Sequence, residues 1–133
     1  VIDLSTIEHL HRQSTLFVVY EYQEEIVAFL IVLDETASYS SLNFYYFQKR
    51  FSNFLYIDRI VVAEEFRRKG IGESLYNFLF GLEHDTRPIT CEVNLDPPNP
   101  ISIRFHEAHG FTSIDEQFNE EGTKKVSLML KVK

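Results

Sequence analysis

The sequence predicts a mixed α/β fold, with a central sheet of antiparallel and parallel strands flanked by helices. A strand-like run, Leu55 to Val62, leads through Arg67-Arg68-Lys69-Gly70-Ile71-Gly72 into a helical run and then into a second strand, Ile89 to Leu95. Such a strand–helix–strand crossover within one sheet is almost always parallel and right-handed, so these two strands are neighbours or near neighbours. Two strand runs precede this unit and two follow it, each pair close enough in sequence to form a hairpin. With 133 residues, 44% of them hydrophobic, the chain has the size of one compact domain, residues 1–133, built on a single core.

Taken in order, Ser5 or Thr6 caps a short helix to about His11, with Glu8 placed to answer Ser5 in a capping box. The chain opens at Val1 and enters this helix directly, which leaves room for an upstream strand or helix. Leu16 to Tyr22 and Ile26 to Leu33 are rich in β-branched and aromatic residues, and Gln23-Glu24-Glu25 fits a hairpin connection despite lacking glycine. Ile26 to Leu33 shows little polar alternation, as expected of a central strand covered on both faces.

Aromatic residues crowd Tyr39 to Tyr56. They either pack a short helix onto the sheet or wall a substrate pocket, for which Tyr45, Tyr46 and Tyr56 are the candidates. Ile71, Leu75, Phe78, Leu79 and Leu82 recur at helical spacing through Glu83. Pro97-Pro98 stops the next strand, Asn99 and Pro100 are an N-cap and first-turn pair for a helix through His109, and Gly110 ends it. Phe111 to Phe118 and Lys124 to Val132 then form strands around Asn119 to Thr123, the last placing Val126, Leu128, Leu130 and Val132 on one face.

Composition excludes several function classes. The net charge of −7 repels a polyanion, and basic residues cluster only at Arg67 to Lys69, too short a stripe to track a nucleic acid. An amine substrate is electrostatically easier than an acidic one. Ile26 to Leu33 is far shorter than the roughly 20 residues a bilayer-spanning helix needs, and no basic-then-apolar leader opens the chain, so no membrane partner is expected. Cys91 is the only cysteine; no intrachain disulfide is possible, which fits a cytoplasmic location. His9, His11, His84, His106 and His109 lack matching ligand spacing, so no metal is expected.

The turn at Arg67 to Gly72 is a candidate anion cradle. Glycines allow a tight turn and close approach of a ligand, while the N–H groups of the helix's first turn point outward with the positive end of its dipole. It lacks the third glycine of a dinucleotide fingerprint and the Gly-Lys-Ser/Thr ending of a nucleotide P-loop. The alternative for Arg67, Arg68 and Lys69 is a solvated basic edge.

Ile60-Val61-Val62 followed by Arg67-x-x-Gly70-x-Gly72, then Val93-Asn94 and Asn99-Pro100-x-Ser102-x-x-Phe105-x-x-x-x-Gly110-Phe111, resembles the GNAT-type N-acetyltransferases over Leu55 to Ile114. Asp58-Arg59-Ile60, Pro97-Pro98-Asn99-Pro100 and Phe105-His106 resemble a branch of predicted bacterial and archaeal acetyltransferases of unknown acceptor. The resemblance implies a GNAT-like acyl-CoA N-acyltransferase fold whose splayed parallel strands hold acetyl-CoA, and direct acetyl transfer to a primary amine. It also implies that backbone groups of Ile60, Val61 and Val62 pair with the pantetheine arm, that Arg67, Arg68, Lys69, Gly70, Ile71, Gly72 and Glu73 hold the pyrophosphate, and that a homodimer is an open assembly.

The family often carries a tyrosine, the proton donor to the leaving thiolate, where this chain has His106. Imidazole can serve there, since an ordinary pKa of about 6.5 leaves part of it protonated near neutrality; the alternative is an exposed or packing histidine. Asn99, Ser102 and His106 share a helix face by their spacing, which can carry all three toward the cofactor and makes Asn99 and Ser102 candidate cofactor contacts, with Ile101, Phe105 and Ala108 turned to the core. Asp58 and Glu92 are the candidate bases, against a structural pairing of Asp58 with Arg59 or Arg104, a solvent-facing Glu92, or a water chain replacing both. Cys91 reads as a small buried residue. The missing tyrosine keeps a second function open: a regulatory module that binds acyl-CoA without turnover.

Overall fold

The computed structural model describes residues 12, 14–82, 85–119 and 121–132. Its elements in chain order are β1 (Leu16–Tyr22), β2 (Glu25–Asp34), α1 (Leu42–Arg50), β3 (Leu55–Val62), a 3-10 turn (Glu64–Phe66), α2 (Ile71–Phe80), β4 (Ile89–Asp96), α3 (Pro100–Ala108), β5 (Thr112–Phe118) and β6 (Lys125–Lys131). Strand order in the mixed sheet is β1-β2-β3-β4-β6-β5, with β3 and β4 parallel and the β1–β2, β4–β6 and β5–β6 pairs antiparallel. The expected mixed α/β architecture is therefore present. The expected helix before Leu16, with His9 and His11, lies outside the described residues, as does His84.

Contacts group the chain into two compact units, and β3 passes from one to the other. The first unit holds the described residues up to Ala37 and Ile57–Thr86; the second holds Ser38–Tyr56 and the described residues from Arg87 onward.

In the first unit, β1 and β2 pair from Leu16 opposite Val32 to Tyr22 opposite Glu25. Gln23 and Glu24 close the hairpin with φ of 50° and 67°. Two successive positive φ values are the sign pattern of a type I′ loop, whose twist matches that of the flanking strands. Val27, Ala28 and Leu30 to Leu33 are buried, as a central strand requires. Helix α2 buries Ile71, Leu75, Tyr76 and Leu79. Phe78, expected in its apolar stripe, is 53% exposed: at 3.6 residues per turn the buried arc sweeps from Ile71 round to Tyr76 and leaves Phe78 at its margin. The helix ends at Phe80 with Gly81 as C-cap, short of the expected Glu83.

In the second unit, Leu55 and Tyr56 pair with Ile89 and Thr90, and Thr90 Oγ1 donates to the Leu55 carbonyl at 2.9 Å. Ser41 caps α1 by accepting from the Phe44 N–H. Phe44 and Phe47 point from that helix into a cluster with Phe54 and Tyr56, all at most 1% exposed, with Phe44 centred 5.3 Å from Tyr56 and 5.6 Å from Phe54. The packing reading of the aromatic segment holds for these rings. Strand β6 departs from the expected one-face pattern: Val126, Ser127, Leu128 and Met129 are all buried, and Val132 is 74% exposed. Alternate residues of a strand point to opposite faces, so both faces of β6 are covered in mid-strand, and Val132 falls beyond its end.

Helix α3 begins as read, with Asn99 Oδ1 accepting from Ser102 N and Pro100 in the first turn. It closes in a Schellman motif, Phe111 N to His106 O and Gly110 N to Glu107 O, around Gly110 at φ 94°. Ile101 and Ala108, expected in the core, are exposed instead, and His106 is the residue of α3 that is buried.

Truncating Phe44 to alanine should lower the unfolding free energy by about 3–5 kcal/mol through cavity formation. Tyr45→Ala, at an exposed neighbour, should stay within about 0.5 kcal/mol. Urea denaturation of both variants checks this; equal effects would show that the rings do not form the core described.

Candidate functional site

In the first unit, β3 reaches Val62, the 3-10 turn follows, and the chain reverses into α2 through Arg67 to Gly70. Arg68 and Gly70 both take positive φ, 64° and 78°. The left-handed region costs a side chain roughly 1–2 kcal/mol and a glycine little. A Cβ on Gly70 would meet nothing within 4 Å, so the demand for glycine there is torsional rather than steric. Gly72 is different: its Cβ would rest in ordinary contact, 3.7 Å, with Ile60 Cδ1.

Gly70 is itself the N-cap of α2 and supplies no side-chain acceptor. The opening N–H groups of a ten-residue helix are thereby presented to a ligand instead of to a capping side chain. Arg67 Nε donates to the Val62 carbonyl at 3.1 Å, pinning the turn to the end of β3, and Lys69 Nζ stands 5.8 Å from the Phe66 ring centroid. Arg67, Arg68 and Lys69 are exposed, and so is Glu73, which puts a carboxylate in the helix's first turn. Ile60 and Val62 are half-buried and Val61 is more exposed. Oriented N–H groups beside three cationic side chains form the donor set that a diphosphate requires, so these residues fit such a group.

Also in the first unit, Asp58 is nearly enclosed and paired with Arg59 Nε at 2.6 Å. The structural pairing weighed for this residue is the one present, and it commits one carboxylate oxygen.

In the second unit, the Tyr56 hydroxyl donates to the Glu92 carboxylate, 2.8 Å from Oε1 and 2.7 Å from Oε2. Glu92 is half-buried, while the Tyr56 ring is core. Sequence reasoning named both residues but not their bond; the available signal was that parallel pairing of the strand starts places them on adjoining strands. Burial raises the pKa of neighbouring Cys91, with the Glu92 charge adding to the effect. Such a buried thiol is inert.

His106 Nδ1 lies 2.7 Å from the Ser102 carbonyl and 3.3 Å from Ser102 Oγ. A carbonyl only accepts, so Nδ1 carries a proton and Nε2 is the nitrogen that titrates. Burial lowers the His106 pKa; the Ser102 carbonyl opposes that shift and nearby His109 adds to it. Imidazolium here is thus scarcer near neutrality than an ordinary histidine, but a stronger acid. Asn99 Oδ1 is committed to the helix cap.

Tyr45 and Tyr46 line a hollow of about 380 Å³ with Lys49, Arg50 and Asp115. The Tyr46 hydroxyl donates to Asp115 Oδ2 at 3.1 Å, and the Arg50 guanidinium sits 3.6 Å over its ring. Desolvation, then the Asp115 bond, raises the Tyr46 pKa. Of the three expected pocket rings, Tyr45 and Tyr46 share this hollow, whereas Tyr56 is held in the aromatic core. Among the described residues no group of three or more His, Cys, Asp and Glu side chains can hold a metal ion, and no helix is long and apolar enough to cross a membrane.

A model of the acetyltransferase (GNAT) family matches residues 2–111. Ard1 from Thermoplasma volcanium superposes with a TM-score of 0.71 at 23% identity, over 98% of this chain and 80% of its own. The ribosomal-protein-S18-alanine N-acetyltransferase from Escherichia coli gives 0.69 at 17%, over 96% and 74%. Arabidopsis thaliana Naa50, in complex with the bisubstrate analogue CoA-Ac-MVNAL, gives 0.70 at 17%, over 99% and 82%. At these identities the likenesses establish the fold. No curated protein sequence matches the chain.

The His106 environment sets a sign. Its folded pKa lies below the ordinary 6.5, so between the two values the unfolded chain binds more protons, and stability falls as pH drops below about 6.5. NMR titration of the imidazole should give His106 a midpoint below 6.5, and His106→Asn should flatten that fall. A midpoint at or above the ordinary value would contradict the buried, Ser102-bound arrangement.

Proposed function

We propose, from the premise that the chain belongs to the acetyltransferase (GNAT) family and is an acyltransferase, that it moves an acetyl group from acetyl-CoA directly to a primary amine. The observation that carries this reading is the β3–turn–α2 unit, in which left-handed Arg68 and Gly70 lead into a helix start with no side-chain cap. Residues 1–133 act as one acetyltransferase domain. Acetyl-CoA brings an activated thioester acyl group; the remaining work falls to this chain's own side chains and backbone.

Backbone groups of Ile60, Val61 and Val62 pair with the pantetheine amides as an added strand would. Arg67, Arg68, Lys69 and the first-turn N–H groups of Ile71, Gly72 and Glu73 bind the pyrophosphate, with Gly70 fixing the turn. Asn99 and Ser102 keep the start of α3 in place, which supports the cofactor from that helix.

Glu92 is the base that accepts the proton of the incoming amine, directly or through one water. Its two oxygens face the Tyr56 hydroxyl, which fixes the carboxylate's orientation. Asp58 is the lesser candidate, because Arg59 already claims it. His106 gives a proton to the departing thiolate from Nε2, its ring orientation held by Nδ1 on the Ser102 carbonyl. The lowered pKa trades abundance of the acid form for strength. Tyr45 and Tyr46 are proposed acceptor contacts. No metal takes part, and the enzyme works in the cytoplasm, alone or as a homodimer.

The acceptor class follows from solved relatives only as a starting point. Because one was solved with a CoA–peptide bisubstrate analogue and another is named for a protein alanine, peptide N-termini are the first amines to screen, ahead of small amines.

Thiol release from acetyl-CoA in the presence of these acceptors tests the reading. Saturable binding with no release for any amine would favour the regulatory module instead. At saturating acetyl-CoA, Glu92→Gln and His106→Ala should each lower kcat by roughly 10²-fold or more while cofactor affinity holds; an unchanged rate removes that residue from the mechanism. Gly70→Val forces a β-branched residue into the left-handed region and should weaken acetyl-CoA binding with little effect on kcat. Normal affinity in that variant would sink the cradle.

A further inference from the structure

We propose that a hollow beside the start of α1 takes a second positive charge carried by the acceptor, an inference that rests on Glu92 receiving the proton of the incoming amine. The hollow lies wholly within the second unit, has a volume of about 210 Å³, and is lined by Leu42, Asn43, Asn119, Glu121 and Val126. Whole small molecules occupy sites of roughly 300–1,000 Å³. This space therefore suits one arm of a ligand whose reacting end sits elsewhere.

Strand register joins the hollow to the proposed base. Val126 pairs with Asn94 on one side and with Gln117 on the other, while Glu92 pairs with Leu128. Directly paired residues share a face of the sheet, and so do residues two apart along a strand. Val126 and Glu92 are therefore diagonal neighbours on one face, about 7–8 Å apart. The same face carries α1: Asn43 Oδ1 accepts from Gln117 Nε2 at 3.0 Å, and Phe44 packs on Tyr56, whose hydroxyl holds Glu92. An amine at Glu92 thus has its next few bonds over Val126.

Charge and polarity select what fills it. Val126 is buried and Leu42 is 41% exposed, an apolar pair for methylene groups. Glu121 is the charged lining residue, and among the described residues no lysine or arginine lines the space. Asn119 holds that carboxylate in place: its Nδ2 donates to Glu121 Oε2 at 3.0 Å and to Thr123 Oγ1 at 3.1 Å, and its Oδ1 accepts from Thr123 N and Lys124 N. Glu121 Oε1 is left to a ligand. The positive end of α1 is already met by the Ser41 side chain, which accepts from Phe44 N, so the carboxylate sets the sign of the hollow. A carboxylate-bearing acceptor is repelled there, and an ammonium or guanidinium is attracted. The chemistry that fits is a primary amine joined by a short methylene chain to a second cation, supplied by a peptide that begins with lysine or by an alkyl diamine.

Thiol release from acetyl-CoA by the full chain, measured with matched acceptors, separates the outcomes: a lysine-initiated against a norleucine-initiated peptide, and cadaverine against pentylamine. The cationic member of a pair should have the higher kcat/KM, by roughly three- to fivefold and through a lower KM, as for an ion pair at an exposed carboxylate. Added salt should shrink the preference. Glu121→Gln should bring the ratio to about one, and Glu121→Lys should turn it over in favour of a glutamate-initiated peptide. A preference in the peptide pair alone assigns the hollow to the first side chain of a peptide, and one in the diamine pair alone assigns it to a small diamine. Turnover without a cation preference, or a preference that survives Glu121→Gln, overturns the inference while the acetyltransferase reading stands. Absence of thiol release with every amine tested overturns that reading and the inference with it.

Discussion

Two left-handed residues, Arg68 and Gly70, govern how β3 gives way to α2. Their φ values of 64° and 78° shape the segment that ends at the N-cap of the helix opening at Ile71. With both residues left-handed, Gly70 becomes an N-cap that offers no side chain, and the helix's first N–H groups face outward. Arg67 ties the turn back to the Val62 carbonyl, so the cationic segment is fixed to the strand whose backbone is the proposed partner of the pantetheine arm. Gly70 carries this restriction through its torsion rather than through crowding, whereas Gly72 touches Ile60 at an ordinary distance. The two glycines of the motif thus do different things.

The proposed proton chemistry falls to residues of the second unit, and burial sets its terms. Tyr56 belongs to the aromatic cluster that anchors α1, yet its hydroxyl ends on Glu92, so a core residue also aims a proposed base. His106 likewise joins packing to a proposed chemical role: its ring lies 5.2 Å from Phe111, its Nδ1 is bonded within the helix, and desolvation lowers its pKa. The Schellman closure uses the His106 carbonyl as acceptor for Phe111 N. Backbone and ring of this one residue therefore bind the end of α3 together.

Much of the fold was legible because its signals are local. Asn99-Pro100 marks a helix start and Gly110 its end by side-chain chemistry alone, and the crossover rule gives the parallel β3–β4 pair without knowledge of contacts. Signals that depend on a third element were not legible. One-face alternation in β6 fails because its second face, Ser127 and Met129, is buried as well as its first, and Phe78 misses the core because Tyr76 takes the buried arc. Ile101, apolar at helical spacing, is exposed for a reason no local pattern contains. For the site, the glycine turn was readable from residue types, whereas the Tyr56–Glu92 bond, the Asp58–Arg59 pairing and the burial of His106 depend on rotamers and neighbours. The left-handed Arg68 carries no sequence mark, since arginine has no preference for that region.

The most direct measurement is a calorimetric titration of the unmodified chain with acetyl-CoA, because every proposed role presupposes that this ligand seats on the turn between β3 and α2. Saturable one-to-one binding with a micromolar dissociation constant, competed by free CoA and weakened by salt through the pyrophosphate contacts, is the expected result. An absence of binding, or binding indifferent to salt and to free CoA, would show that the left-handed turn only connects a strand to a helix and that the acetyl donor is not acetyl-CoA held in this way.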